Sequence, residues 1–267
     1  MENLYGLIGE KLGHTYSPKI HKNILKEIDI EGHYGLFQVE KDNLKHVISG
    51  LKALGYNGIN VTIPYKLDII KYLDALSPEA SKIGAINVVN INESGMAIGY
   101  NTDYYGFGMM INQANINIQG EVAIILGTGG AAKAVAQYLK DNGIKEIILV
   151  TRDANSAKQK YPNDKIIIYD ELKDINNCSI IINCTPVGMH PEVNFTPIDR
   201  KYLKNFKTAI DLVYNPSQTL FLNQAEDEGL KTVNGLYMLI AQAVKSQEIW
   251  NEIEISAEVI DNIVDLF

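Results

Sequence analysis

Two cysteines in 267 residues are too few for a disulfide scaffold. Cys178 and Cys184 bracket the run "SIIIN", so they fall at the two ends of one strand, too far apart to bridge. They read as a buried, reduced pair in a cytoplasmic protein. Positive charge is also scarce: 24 basic residues stand against 32 acidic ones, a net charge of −8. Nucleic acids and anionic membranes are held by concentrated basic patches, so neither is expected as a partner. No apolar stretch approaches the ~20 residues of a membrane helix. The opening "MENLYGLIGE" begins with an acid and lacks the apolar region of a secretory signal. The histidines at 14, 21, 33, 46 and 190 have no metal-ligand spacing, so no metal is expected. No nucleophile elbow or P-loop lysine is present, and no feature specifies an oligomeric state.

What is present is ample core material. Hydrophobic residues make up 46% and charged residues 21%, and the length suits two domains. Strand candidates open the chain at "LYGLIG" (4–9), "HYGLFQV" (33–39), "GINVTI" (58–63), "INVVNI" (86–91) and "MAIGY" (96–100). From residue 121 the runs become more uniformly apolar and β-branched: "EVAIIL", "KEIILV", "KIIIY", "SIIIN" and "TAIDLV". Strands of that kind are buried on both faces of a parallel sheet. Amphipathic stretches alternate with them, which predicts an α/β protein of two domains. The composition shifts near 101–120, and two more helices follow "VNG" (233–235). The expected division is 1–102 with 236–267 as one domain and 103–235 as a Rossmann-like domain.

"EVAIILGTGGAAKAVAQYL" is a strand, a glycine turn and a helix in succession. Gly127, Gly129 and Ala132 fit G-x-G-x-x-G/A, in which the glycines allow a tight turn and a close backbone approach to a pyrophosphate. The next strand candidate ends in Thr151, Arg152 and Asp153, where an acid would grip the ribose of NAD. Arginine suits a 2′-phosphate, favouring NADP over NAD; an exposed loop cation is the other reading, and Asp153 opposes the charge.

In "NVTIPYK" (60–66), Asn60 and Thr62 share one strand face, either polar binding groups or simply a solvated side. Pro64 suits a first helical residue, with the apolar stripe of "LDIIKYL" following. Lys66 then lies in a first helical turn, where a cation is disfavoured by about 0.3–1 kcal/mol. A misplaced charge of this kind marks a functional candidate, against the alternative of a snorkelling surface lysine. Asp103 in "NTD" reads alone as a helix cap, Ser17 before Pro18 as another, and Asn87 as a turn or strand-end residue.

Together these segments resemble the shikimate dehydrogenase family almost end to end, through "HTYSP", "NVTIPYK", "GAINVV", "GYNTD", "LGTGGAAKAV", "NCTPVGM", "DLVY", "NGLYML" and "QAVKSQEIW". The resemblance implies reversible, NADPH-dependent reduction of 3-dehydroshikimate to shikimate, on the route to chorismate and the aromatic amino acids. It implies that Thr15 and Ser17 bind the substrate carboxylate, that Asn60, Thr62, Asn87 and Gln242 hold or flank the ring hydroxyls with Tyr214 nearby, and that Lys66 and Asp103 handle the proton. Gly127, Gly129, Gly130 and Ala131 would line the pyrophosphate, Thr151 and Arg152 the 2′-phosphate side, and Thr185, Met189, Val213 and Gly235 the nicotinamide side. Thr15 keeps the hydroxyl of the family's usual serine. Val88 stands in place of a threonine and removes a polar pocket group, Thr151 replaces an asparagine, Asp153 a threonine, and Gln247 an aromatic, the last as a packing change. Two rivals follow: an enzyme that also uses quinate, with NAD, and a non-catalytic sensor of NADP and a metabolite.

Overall fold

Alternating strands and helices build two α/β units, Met1–Gly106 with Ile240–Phe267, and Phe107–Leu239. The computed structural model describes residues 2–13, 15–175 and 178–267; His14 of the "HTYSP" segment lies outside the described residues. The first unit contains β1 (Asn3–Gly9), α1 (Ser17–Glu27), β2 (Gly32–Gln38), α2 (Leu44–Ala53), β3 (Gly58–Val61), β4 (Ala75–Leu76), α3 (Pro78–Ile83), β5 (Val88–Ile91) and β6 (Ala97–Tyr100). The start of α4 (Thr102–Gln113), most of α8 (Leu236–Asn251) and α9 (Glu258–Val264) complete it. The second holds β7 (Val122–Leu126), α5 (Gly130–Asp141), β8 (Glu146–Thr151), α6 (Ala154–Lys160), β9 (Lys165–Ile168), β10 (Ile180–Asn183), β11 (Thr208–Asp211), α7 (Leu220–Asp227) and β12 (Lys231–Val233). Both boundaries fall inside helices, α4 and α8.

The second sheet has the order β12-β11-β10-β7-β8-β9, parallel throughout, the doubly wound arrangement of dinucleotide-binding folds. Its strands are apolar on both faces because both are covered. Ile125, Ile147 and Leu149 pack with Phe107 of α4 and Val135 and Leu139 of α5, while Ile124, Ile148 and Ile181 pack with Phe221 and Leu222 of α7.

The first sheet, β2-β1-β3-β5-β6-β4, is mixed rather than purely parallel. β1 pairs in parallel with β2 and β3, but β5 runs antiparallel to both β3 and β6. Only five residues, 92–96, join β5 to β6, with Gly95 at φ +77°; so short a link can make only an antiparallel pair. Successive residues face opposite cores. Ile8, Ile59 and Val89 meet α2 through Leu44, Ile48 and Leu51, while Leu7 and Val88 meet Leu25 of α1 and Trp250 of α8. Val88 is therefore a fully buried core residue.

Two local expectations are corrected. The segment after Pro64 is a turn over 63–67 followed by a 3-10 helix, Asp68–Tyr72, not an α-helix beginning at Pro64. The chain must turn again by Leu73, which is extended, and so short a path favours the tighter 3-10 form. Ser17 is not a cap but the first residue of α1, preceded by Tyr16; its own amide bonds to Thr15 Oγ1 at 3.2 Å.

Candidate active site

The polar residues of the first unit are set by what anchors their neighbours. Tyr65 is fully buried and donates to Val39 O at 2.5 Å; burying such a ring contributes roughly 1.5–3 kcal/mol. With Tyr65 fixed in the core, the turn presents Lys66 to the start of α4. There Asn101 accepts from Tyr104 N at 3.2 Å and so takes the capping role, leaving the carboxylate of Asp103 free for other work. Asp103 Oδ2 lies 2.5 Å from Lys66 Nζ, with side chains 8% and 14% exposed. No helix begins at Lys66, so its charge meets no dipole penalty there, and it is paired with an acid brought from 37 residues away. An acid in the first turn of α4 is itself favoured by the helix dipole.

Asn87 is positioned by α3, which starts at the Ser77 cap and ends at Gly84 in the left-handed region, φ +67°. Its amide nitrogen lies 2.9 Å from Asp103 Oδ1, 3.0 Å from Thr102 Oγ1 and 3.3 Å from Gln242 Oε1, and its oxygen accepts from Thr102 N at 2.7 Å. Lys66, Asn87, Asp103 and Gln242 are thereby gathered into one cluster. Asn60 joins it from β3, donating to Asn87 O at 3.3 Å and to Ser246 Oγ at 3.1 Å and accepting from Tyr34 at 2.7 Å. At 6% exposure, Asn60 is a buried strut, which excludes the solvated-face reading. Thr62, just past β3, holds Ile8 O through its amide and forms no side-chain hydrogen bond among the described residues. Thr15 and Ser17 place their hydroxyls 3.0 Å apart.

Sequence reasoning missed the layer beneath. Burial pushes the Tyr34 phenol well above its ordinary range, a hydrogen bond with Ser17 opposing it, so Tyr34 bridges Ser17 to Asn60. His21 stacks on Tyr34 at 4.0 Å, and burial drives its pKa down to about 3. Gln247 Nε2 meets His21 Nδ1 at 2.9 Å, which makes Gln247 the polar partner of a buried imidazole, not only a packing change. The signal in sequence was a histidine on the apolar face of α1, between Ile20 and Ile24, and a glutamine within the largely apolar run of α8.

In the second unit the glycine turn follows β7. Gly127 has φ +100°, and a Cβ there would sit 3.0 Å from the Thr185 methyl, so glycine is required. Gly129 precedes α5 with no side-chain cap, leaving first-turn amides of Gly130 and Ala131 to an external acceptor. Open space lies where a Gly129 Cβ would be. Tyr161 supports this turn by donating to Gly129 O at 3.3 Å. Arg152 is exposed after β8. Asp153 accepts from Asn155 N and Ser156 N at 3.1 and 3.0 Å, so its carboxylate caps α6. Thr151 is nearly buried, its hydroxyl accepting from Asp153 N at 3.2 Å. Thr185 bonds through amide and hydroxyl to Asn183 Oδ1, at 3.0 and 2.6 Å. Met189 is exposed, Val213 is buried, and Tyr214 is half-buried. At Gly235 a Cβ would fall 2.2 Å from Leu212 O, so only glycine fits.

One unit is doubly wound and carries an amide-lined glycine turn, the other carries an amine–carboxylate pair, and together they define a two-unit α/β protein of the dinucleotide-handling class. Residues 7–89 match the family described as Shikimate dehydrogenase substrate binding domain. A shikimate dehydrogenase (NADP(+)) of Clostridium perfringens is 47% identical over 264 residues, 98% of this chain and 97% of the relative. A chorismate mutase/shikimate 5-dehydrogenase fusion protein from Clostridium acetobutylicum superposes with TM-score 0.95 at 46% identity, over 100% of this chain and 97% of that one. A shikimate dehydrogenase solved with NADP+ gives TM-score 0.89 at 36% identity, covering 99% and 95%. The chain belongs to the shikimate dehydrogenase family.

Proposed function

We propose that this protein catalyses the reversible, NADPH-dependent reduction of 3-dehydroshikimate to shikimate, working in the cytoplasm on the route to chorismate. The observation that carries the reading is the Lys66–Asp103 pair at 2.5 Å within a cluster of small hydrogen-bonding side chains, in a chain 47% identical to a shikimate dehydrogenase.

A polyol acid needs groups for its carboxylate, its ring hydroxyls and the reacting oxygen. The adjacent Thr15 and Ser17 hydroxyls suit the carboxylate, and Thr62, Asn87 and Gln242 the ring hydroxyls, with Asn60 flanking. Lys66 keeps donor positions beyond the one on Asp103. It delivers a proton from Nζ to the oxygen that becomes the new hydroxyl, or stabilises negative charge there. Asp103 Oδ2 holds the ammonium in place, and Asn87 holds the other carboxylate oxygen, so the amine cannot swing away.

The second unit fits NADPH: an uncapped helix start, a turn closed to side chains at Gly127 and open space beside Gly129 suit a pyrophosphate. Gly127, Gly129, Gly130 and Ala131 would hold it, Arg152 and Thr151 the 2′-phosphate side, and Thr185, Met189, Val213 and Gly235 the nicotinamide side. When bound, that cofactor supplies the hydride. The capping role of Asp153 supports this reading, since helix amides offset its charge beside Arg152.

The test is absorbance at 340 nm with shikimate and quinate, each against NADP and NAD. The expected outcome is fastest turnover with shikimate and NADP. Faster quinate oxidation with NAD would replace the substrate assignment, and no turnover with any pair would leave a metabolite sensor.

A further inference from the structure

Asp211 ends β11 with 0% of its surface exposed, yet the chemistry proposed above gives it no task. Its partners are hydrogen-bond donors: Oδ1 accepts from Asn183 Nδ2 at 2.9 Å and Val213 N at 3.0 Å, and Oδ2 from Thr219 Oγ1 at 2.7 Å. Desolvation is expensive for a carboxylate in such a place, and burial raises its pKa to about 6 against the pull of those three donors. A buried acid kept at that cost calls for an explanation.

The geometry points to Asp211 as a positioning residue for the dinucleotide site, acting through Asn183 and Thr185. Because the carboxylate takes the amino end of the Asn183 amide, the carbonyl end faces Thr185, where it accepts both amide and hydroxyl at 3.0 and 2.6 Å. Thr185 in turn places its methyl against Gly127, the first glycine of the cofactor turn, and its hydroxyl accepts from Val187 N at 3.3 Å. The other arm fixes Val213, whose carbonyl receives Gly235 N at 3.2 Å. One carboxylate thus sets the backbone after β10 and β11, with the Thr219 cap of α7 as its third tie. These are carboxyl ends of parallel strands, where doubly wound sheets bind ligands. The inference rests on the NADPH reading: Thr185, Val213 and Gly235 matter here as the nicotinamide side.

NADPH binding, read from the cofactor's fluorescence, tests this separately from turnover. Asp211→Ala is expected to raise the NADPH dissociation constant roughly 10- to 100-fold, the scale of losing one or two positioned hydrogen bonds, while the KM for shikimate stays within about twofold. Asp211→Asn keeps an oxygen for Asn183 and Val213 and turns its new amide toward Thr219 Oγ1, so it should restore binding to within about threefold. Should Asp211→Ala fail to fold, Asn183→Ala cuts the same chain one step later and carries the same expectation. Unchanged NADPH affinity in the alanine variant that folds, an equal rise in the KM for shikimate, or an Asp211→Asn variant as weak as Asp211→Ala would each overturn the inference. A wild-type protein that binds no NADPH would instead sink the cofactor reading on which it stands.

Discussion

Lys66 and Asp103 are two ions withdrawn from most of their water, and a pair of that kind is weak support for stability because desolvation offsets much of the attraction. Their retention therefore argues for use. Lys66→Ala should lower kcat by ~10²–10⁴, the usual contribution of a positioned acid–base group, with NADPH affinity unmoved. Steady-state rates alongside cofactor titration check this, and undiminished turnover would remove Lys66 from the chemistry. Asp103→Asn should also cripple turnover; since Asn101 already caps α4, a loss confined to melting temperature would contradict the assignment. At this scale the sequence was informative because chemistry-bearing side chains sit in short stretches such as "NVTIPYK" and "GYNTD". The supporting residues were not legible: Tyr34, His21 and Ser246 look like ordinary core or helix positions until distant segments bring them to Asn60.

Element boundaries depend on competition between local preference and the path the chain must follow. Pro64 and the stripe of "LDIIKYL" favoured an α-helix, but the short route to β4 left room only for a turn and a 3-10 piece. Parallel order in the second sheet was legible from its uniformly apolar strands, whereas the hairpin of the first sheet depended on reading "NESG" as a tight link. The β8–α6 junction separates two neighbouring residues by role. Asp153→Ala removes the cap of α6 and should cost about 0.5–2 kcal/mol, measured by urea unfolding, without weakening NADPH binding. Arg152→Ala should instead leave stability nearly unchanged and raise the KM for NADPH more than that for NADH. Equal increases for the two cofactors would undo the 2′-phosphate assignment.

The two units carry buried titratable groups of opposite sign, so acid should act on them differently. His21, in the first unit, has its pKa lowered by burial from 6.5 to about 3. Below pH 6.5 the unfolded chain takes up a proton that the folded unit refuses, so that unit loses stability down to about pH 3. Asp211, in the second unit, has its pKa raised by burial from 3.8 to about 6; there the folded state takes the proton first, and stability rises as pH falls from about 6 to 3.8. Each group contributes at most about 1.4 kcal/mol per pH unit. Asp74 and Asp199 are held below 3.8 chiefly by hydrogen bonds from Lys52 and Lys201, outside this window. The only tryptophan in the sequence is Trp250, buried against Tyr5 in the first unit, so its fluorescence follows that unit while circular dichroism follows both. Between pH 6.5 and 4.5 the fluorescence midpoint of thermal unfolding should fall more steeply than the dichroism midpoint. His21→Gln should lower the midpoint at pH 7 yet flatten its slope with acid. An unchanged slope in that variant would mean that groups other than this imidazole set the acid response of the first unit.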